Sequence, residues 1–280
     1  MSGLLLALSV SIVWGTADFI GGITSRGRAA VTVMFFSQAF GLLGLSVVLL
    51  VTWRAFPGTA VIAPAILAGF GTGLGVLCLY QALSIGPMSI VAPLTALAAI
   101  VPVGVGIAGG DRPSWLQGVG MVAAVVGCFL AARSPGDGAA AIQRSGILYA
   151  LLAAALIGVG LVGIDGASDH DVLWGLEVAR GVTVVAIGAL ALALRGPRGV
   201  GAQARPLAPL AVIGAFDVTA NGLFGWASTL GLLSVVSVLG SVYPVMTVLL
   251  ARLILKERMT PTQGAGVAAA FGGIALLVGG

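Results

Sequence analysis

The chain alternates long apolar runs with short polar or charged interruptions. The first five runs fall near Gly3–Gly22, Ala30–Thr52, Val61–Leu83, Ser89–Ala108 and Ser114–Ala132. A more polar stretch follows, Arg133–Arg144, holding Pro135, Gly136 and Asp137. Five further runs fall near Gly146–Ile164, Val172–Leu194, Leu207–Ala227, Ser234–Leu253 and Thr262–Val278. Each approaches the ~20 residues that an α-helix needs to cross a bilayer core. The runs are apolar on every face, whereas the strands of a membrane β-barrel alternate apolar and polar positions. The pattern therefore predicts an all-α membrane protein with ten transmembrane helices.

Composition agrees with this reading. Of 280 residues, 59% are hydrophobic and only 8% are charged, and the mean hydropathy is +1.15. A soluble domain carries about a quarter charged residues. Ten spans consume roughly 200 residues, which leaves no room for a separate soluble domain. The net charge of +4 is scattered, so no nucleic-acid patch is expected. Cys78 and Cys128 fall inside apolar runs and read as small core residues. With one histidine, His170, the usual metal-ligand spacings are missing, and no metal or other cofactor is expected. There is no His-Glu-x-x-His helix and no Walker phosphate loop. The expectation is accordingly neither an intramembrane enzyme nor an ATP-driven pump, and no catalytic residue is assigned. Met1–Val13 has no Lys or Arg before it, so it reads as part of the first span rather than as a signal peptide.

The two halves resemble each other. Asp111-Arg112, Gln117, Gly118, Gly120 and Gly127 recur as Glu257-Arg258, Gln263, Gly264, Gly266 and Gly273, a constant spacing of 146. Ala63-Pro64, Gly69, Ala82, Gly86 and Ser89 recur 145 positions later, and Ser2-Gly3 with Gly15 recur 143 positions later. The chain therefore divides into a first repeat over 1–132, a linker over 133–145 and a second repeat over 146–280. Five is odd, so the second copy must lie upside down in the membrane, an arrangement typical of secondary transporters. Gly69, Gly71, Gly73 and Gly75 form small-x3-small patterns that let helices approach closely, and Gly118, Gly120, Gly264 and Gly266 are expected to act likewise.

Several short motifs point to a family. They are Trp14-Gly15, Gly86-Pro87, Ser89-Ile90-Val91-Ala92-Pro93-Leu94, Ser241-Val242-Tyr243-Pro244-Val245, Gly110-Asp111-Arg112-Pro113 and Leu255-Lys256-Glu257-Arg258. With these the chain resembles the drug/metabolite transporter superfamily, in its EamA-type ten-helix branch. Asp111 stands where that family usually has Glu, and Lys256 where it usually has Gly. Within the branch the chain is similar in size and general character to the YddG-type amino-acid exporters. That resemblance implies a central cavity lined by spans one, three, four, six, eight and nine, the spans that carry Trp14, Asp18, Tyr80, Asn221 and Ser241.

Charges at membrane depth cost about 2.5–3.5 kcal/mol each on insertion scales, so they face a cavity or a partner. The candidates are few. Ser11, Trp14 and Asp18 share one helical face. Trp14 can stack on a flat or cationic solute, and Asp18 can hold an ammonium or a proton. Asp217, four residues before Asn221 near the middle of the eighth span, is the leading single candidate for a coupling or substrate-binding group. A buried acid satisfied by a neighbouring helix, Arg180 for example, is the alternative role for Asp217. Glu177 and Arg180, three apart, are expected to form an intrahelical ion pair. Trp174 is expected to anchor at the interface. Ser234, Ser237 and Ser241 make a hydroxyl stripe in the ninth span, where Tyr243-Pro244 can break the helix and free carbonyls, as Pro93 can in the fourth. Tyr80 and Gln81 end the third span and are expected to border a vestibule. The site expectation is thus Trp14, Asp18, Tyr80, Asp217, Asn221, Ser237 and Ser241.

Basic residues sort unevenly between the loops. Arg26, Arg28, Arg133, Arg144, Arg195, Arg198, Arg205, Arg252, Lys256 and Arg258 lie on one side, and only Arg54 and Arg112 on the other. The positive-inside rule then places both termini outside, with the acidic loop Asp165–Asp171. Relatives in the family are usually drawn with cytoplasmic termini, so the two expectations conflict. The function expected is export of amino acids or similar small metabolites by alternating access, from a bacterial inner membrane, with protons as a possible coupling ion. Efflux of a cationic drug and a passive channel are the alternatives. A phosphate-bearing cargo fits less well, since Arg180 alone offers a midplane cation.

Overall fold

The computed structural model describes residues 2–85, 91, 94–131, 144–202, 206–255 and 260–280. Among them the regular structure is helical throughout. The helices are α1 (Ser2–Arg26), α2 (Ala30–Thr52), α3 (Ile62–Ile85), α4 (Ile100–Gly109), α5 (Trp115–Ala131), α6 (Arg144–Ser168), α7 (Val172–Ala202), α8 (Ala208–Leu230), α9 (Leu233–Gly240), α10 (Tyr243–Leu255) and α11 (Pro261–Gly279). Short 3-10 turns, Thr59–Val61 and Leu97–Ala99, lead into α3 and α4. Seven helices are long and apolar enough to cross a membrane, and three shorter apolar helices occupy Leu94–Gly109, Trp115–Leu130 and Leu233–Thr247. The motif residues Gly86 to Ile90, Ala92, Pro93 and Lys256 to Arg258, and the linker residues 132–143, lie outside the described residues.

Large apolar side chains cover the outside. Leu50 is 74% exposed and Val185 73%, an arrangement that water penalises and lipid accepts. Inside, small residues set the closest helix contacts. A side chain at Gly71 would strike the backbone of Gly160, and one at Gly75 would strike Ile157. With lipid tails as apolar as leucine, close backbone packing is what holds such helices together. Gly120 meets Gly273 and Leu277, and Gly127 meets the backbone of Ala270. Gly118 and Gly264 do not act this way: a side chain at either position would enter open space. Gly118 stands two residues from Gly120, about 200° around the helix at 3.6 residues per turn, and so faces away from the contact.

Helix packing follows a simple exchange rule. Matching the two sequence halves pairs α1 with α6, α2 with α7, α3 with α8, Leu97–Gly109 with Val242 and α10, and α5 with α11. Under that exchange the α1–α8 contact becomes α6–α3, and α2–α8 becomes α7–α3; all four are major packing contacts. The α2–α7 and α5–α11 contacts map onto themselves. Moreover α2 and α7 run antiparallel, since Phe35 meets Gly188, Gln38 meets Arg180, and Ser46 meets Glu177.

The run over Ser234–Leu253 is not one helix. It breaks at Ser241 and Val242, between α9 and α10. Pro244 has no N–H to give the carbonyl of Gly240, four residues back. The Ser11 hydroxyl of α1 supplies the missing donor, bonding Gly240 O at 3.1 Å and also Leu239 O. The seventh run extends further than the hydropathy suggests, to Ala202, with a kink at Gly196 (φ 65°) before Pro197.

Candidate functional site

Five helices converge on a central, partly open cavity that borders about 500 Å³ of space not filled by protein atoms. Its wall includes Trp14 and Asp18 of α1, Thr72, Val76 and Leu79 of α3, Ala98, Ile157 and Leu161 of α6, Asp217 and Asn221 of α8, Ser241 and Tyr243. Both halves of the chain contribute. The Trp14 ring lies 5.9 Å from Phe224 and 6.4 Å from Tyr243, the latter edge-on at 76°. These contacts hold the indole against the cavity. Gly15 makes the approach possible, since any side chain there would collide with the Tyr243 carbonyl and Met246.

Asp217 is fully engaged. Arg180 Nη1 lies 2.6 Å from its Oδ2, Gln38 Nε2 donates to the same oxygen at 2.9 Å, and Asn221 Nδ2 donates to Oδ1 at 3.3 Å. Arg180 Nη1 also donates to Gln38 Oε1. Arg180 is 4% exposed, so its charge depends on this network for compensation. Arg180 therefore pairs with Asp217 of α8, not with Glu177 of its own helix. Glu177 faces α2 instead, where Ser46 donates to it at 2.5 Å. A spacing of three permits an intrahelical pair, but the interhelical carboxylate offers better enclosure.

Asp18 differs. Among the described residues no hydrogen bond or ion pair reaches its carboxylate, although it lines the same cavity. A smaller space of about 190 Å³, bordered by Arg180, Leu176, Thr183, Thr72 and Asn221, adjoins it through the last two residues.

Of the residues expected from sequence, Trp14, Asp18, Asp217, Asn221 and Ser241 meet at the cavity. Tyr80 and Ser237 do not line it. Tyr80 is buried behind the wall, its hydroxyl pressed on Gly21, where a side chain would come within 2.6 Å. Ser237 is wholly buried in α9, its hydroxyl without a partner among the described residues. Gln38, Thr72 and the inward placement of Tyr243 escaped the sequence reading. A lone glutamine within the apolar α2 was the available signal for Gln38.

A model of the EamA-like transporter family matches residues 1–133 and 144–279. The chain belongs to the EamA-like transporter family. It is accordingly an integral, multi-pass membrane protein of a transporter family, and a two-repeat EamA architecture fits its helices. A crystal structure, one of 19 matching chains, superposes with a TM-score of 0.72 at 18% identity, covering 99% of this chain and 97% of that one. At that identity the likeness concerns fold. No curated protein matches the sequence.

Away from the cavity, one end of this EamA-like bundle is tied across the two halves. Arg54 pairs with Asp171 at 3.2 Å, and Trp174 Nε1 bonds the Arg54 carbonyl at 3.3 Å while stacking edge-on against Phe56. Asp111 Oδ2 accepts from the Ser234 N–H at 2.8 Å and so caps the start of α9.

Proposed function

We propose that this EamA-like protein is a ten-span secondary transporter that carries small solutes bearing an ammonium group, amino acids and related metabolites, by alternating access through the central cavity. The spans form two inverted five-span repeats, 1–132 and 146–280, joined by 133–145. The exchange rule among packed helices and the antiparallel course of α2 and α7 support this arrangement. The narrower likeness to YddG-type exporters is part of the same proposal.

The observation that carries the reading is Asp18. A carboxylate without a partner among the described residues, on a cavity wall at membrane depth, is costly unless a cation visits it. The aromatic face of Trp14 beside it suits an ammonium. The cavity is built from both repeats, so rocking one repeat against the other opens it to alternate sides. Trp14, Asp18, Asp217, Asn221 and Ser241 touch the solute or its counter-ion; Tyr80 and Ser237 support the wall from behind.

The test is flux in proteoliposomes with a panel of labelled amino acids and amines. Saturable, counterflow-competent uptake is expected. Flux that rises linearly with solute concentration identifies a channel instead, and no flux from monodisperse protein rejects transport of this class.

A further inference from the structure

The two repeats contribute matched positions to the cavity, and the match is chemically one-sided. The sequence offsets of 143 and 145 pair Trp14 with Ile157, Asp18 with Leu161, Thr72 with Asp217, Val76 with Asn221, Ala96 with Ser241, and Ala98 with Tyr243. In five of these six pairs both members line the cavity. In each of the six, one member is an acid, amide, hydroxyl or aromatic, and the other is aliphatic or a less polar residue. The polar members lie together on α1, α8 and the α9–α10 break, which pack against one another. Their mates on α3, α6 and the turn before α4 make the opposite wall, with Val76, Leu79, Ala98, Ile157 and Leu161 exposed to the cavity. Duplication supplied a symmetric frame, and the residues filling it have divided it into a polar side and an apolar side.

The charge and donor count then narrows the occupant. Three charged side chains belong to the cavity and its network: Asp18, Asp217 and Arg180. Arg180 and Asp217 cancel, so the surplus negative charge is the one Asp18 carries whenever its proton is off. Several donors nearby are already committed: Thr72 to Ala68 O at 2.7 Å, one Asn221 amide N–H to Asp217, and Tyr243 to Thr95 at 2.6 Å. Among the described residues, a carboxylate entering here would meet Asp18 and only neutral donors on the wall, the Ser241 hydroxyl, the Trp14 indole N–H and the second Asn221 amide N–H, because the Arg180 cation is already paired with Asp217. A zwitterion keeps the surplus negative charge; a monocation removes it.

From this division of the wall we infer that the preferred cargo is an amphiphilic monovalent amine, its ammonium at Asp18 and Trp14 and its apolar body against Val76, Leu79, Ile157 and Leu161. The inference rests on the transport reading above and ranks its ammonium-bearing solutes, placing amines that lack a carboxylate ahead of amino acids.

The experiment uses the purified full-length protein in proteoliposomes, with labelled phenethylamine as the probe and phenylalanine as competitor, two molecules that differ by the carboxylate. Phenethylamine flux is expected to saturate, with phenylalanine competing about tenfold or more weakly. Asp18→Asn, which removes an unpaired charge and so leaves the fold intact, is expected to weaken phenethylamine by a similar factor, while Asp18→Glu restores it. Val76→Asn, which gives the apolar wall its mate's residue, is expected to weaken phenethylamine but not methylamine. If phenylalanine competes equally or better, the amine preference is overturned while transport stands. Phenethylamine flux indifferent to Asp18→Asn overturns it too. Absence of saturable flux for every probe removes the transport reading along with it.

Discussion

Arg180 of α7 and Asp217 of α8 meet at 2.6 Å, with Gln38 of α2 bridging both. One polar knot thus fixes three helices around the cavity. Breaking one partner of a buried pair costs about 3–5 kcal/mol, because the other charge is left uncompensated. Arg180→Gln should therefore lower the melting temperature in detergent sharply. Adding Asp217→Asn should recover most of the loss, since two neutral amides can still hydrogen-bond each other and Gln38. A single Arg180→Gln variant as stable as the parent would show that the knot contributes nothing.

The break between α9 and α10 offers a separate test. Pro244 removes the donor for Gly240 O, and Ser11 replaces it from α1. Ser11→Ala leaves that carbonyl unmet, at a cost of about 1–3 kcal/mol. Pro244→Ala lets the backbone donate again and straightens the helix through Ser241 and Val242. The double variant should then be more stable than Ser11→Ala alone, yet transport poorly, because Ser241 and Tyr243 leave their places on the wall. Thermal unfolding and flux measured on the three variants separate the two effects. Equal stability of the single and double variants would argue against the repair.

The sequence carried most of this architecture. Run lengths and the recurring acid-Arg-x4-Gln-Gly-x-Gly pattern together point to a duplicated helical bundle. Five of the seven candidate site residues meet at one cavity because helical spacing alone puts Trp14 with Asp18 and Asp217 with Asn221. What spacing does not reveal is which helix lies opposite. Arg180 has an acid three residues away and chose one on another helix. Gln38 looks unremarkable until α7 and α8 close on it. Ser237 shares a stripe with Ser241 but lies a turn deeper in α9, and the break at Ser241 gives the two residues different surroundings.

The two aspartates of the cavity should separate in function. Asp217 already accepts from Arg180, Gln38 and Asn221, whereas Asp18 has no such donors among the described residues. Asp18 is then the carboxylate on which a proton and a cationic solute compete. In proteoliposomes with an imposed pH gradient, Asp18→Asn should abolish accumulation above equilibrium. The neutral pair Arg180→Gln with Asp217→Asn should retain it, at reduced rate. The reverse order, with the double variant uncoupled and Asp18→Asn coupled, would place coupling at Asp217.

Orientation can be settled by charge and by labelling. Arg28 bonds the Pro206 carbonyl at 3.4 Å, so the α1–α2 and α7–α8 connections share one end of the bundle, along with Arg26, Arg195 and Arg198. Arg54, Asp171, Asp111 and Ser234 mark the other end, where Gly280 packs near Ser114 and Gly3 near Leu230. Basic connections are retained in the cytoplasm. The end carrying both termini should therefore face outward, against the usual drawing of the family. A background with Cys78→Ser and Cys128→Ser removes the native thiols. In it, Ala55→Cys should react with a membrane-impermeant maleimide on intact cells, and Gly27→Cys only after permeabilisation. The opposite labelling would put the termini in the cytoplasm, and the basic bias would then have been overruled by the first repeat, where it is weakest.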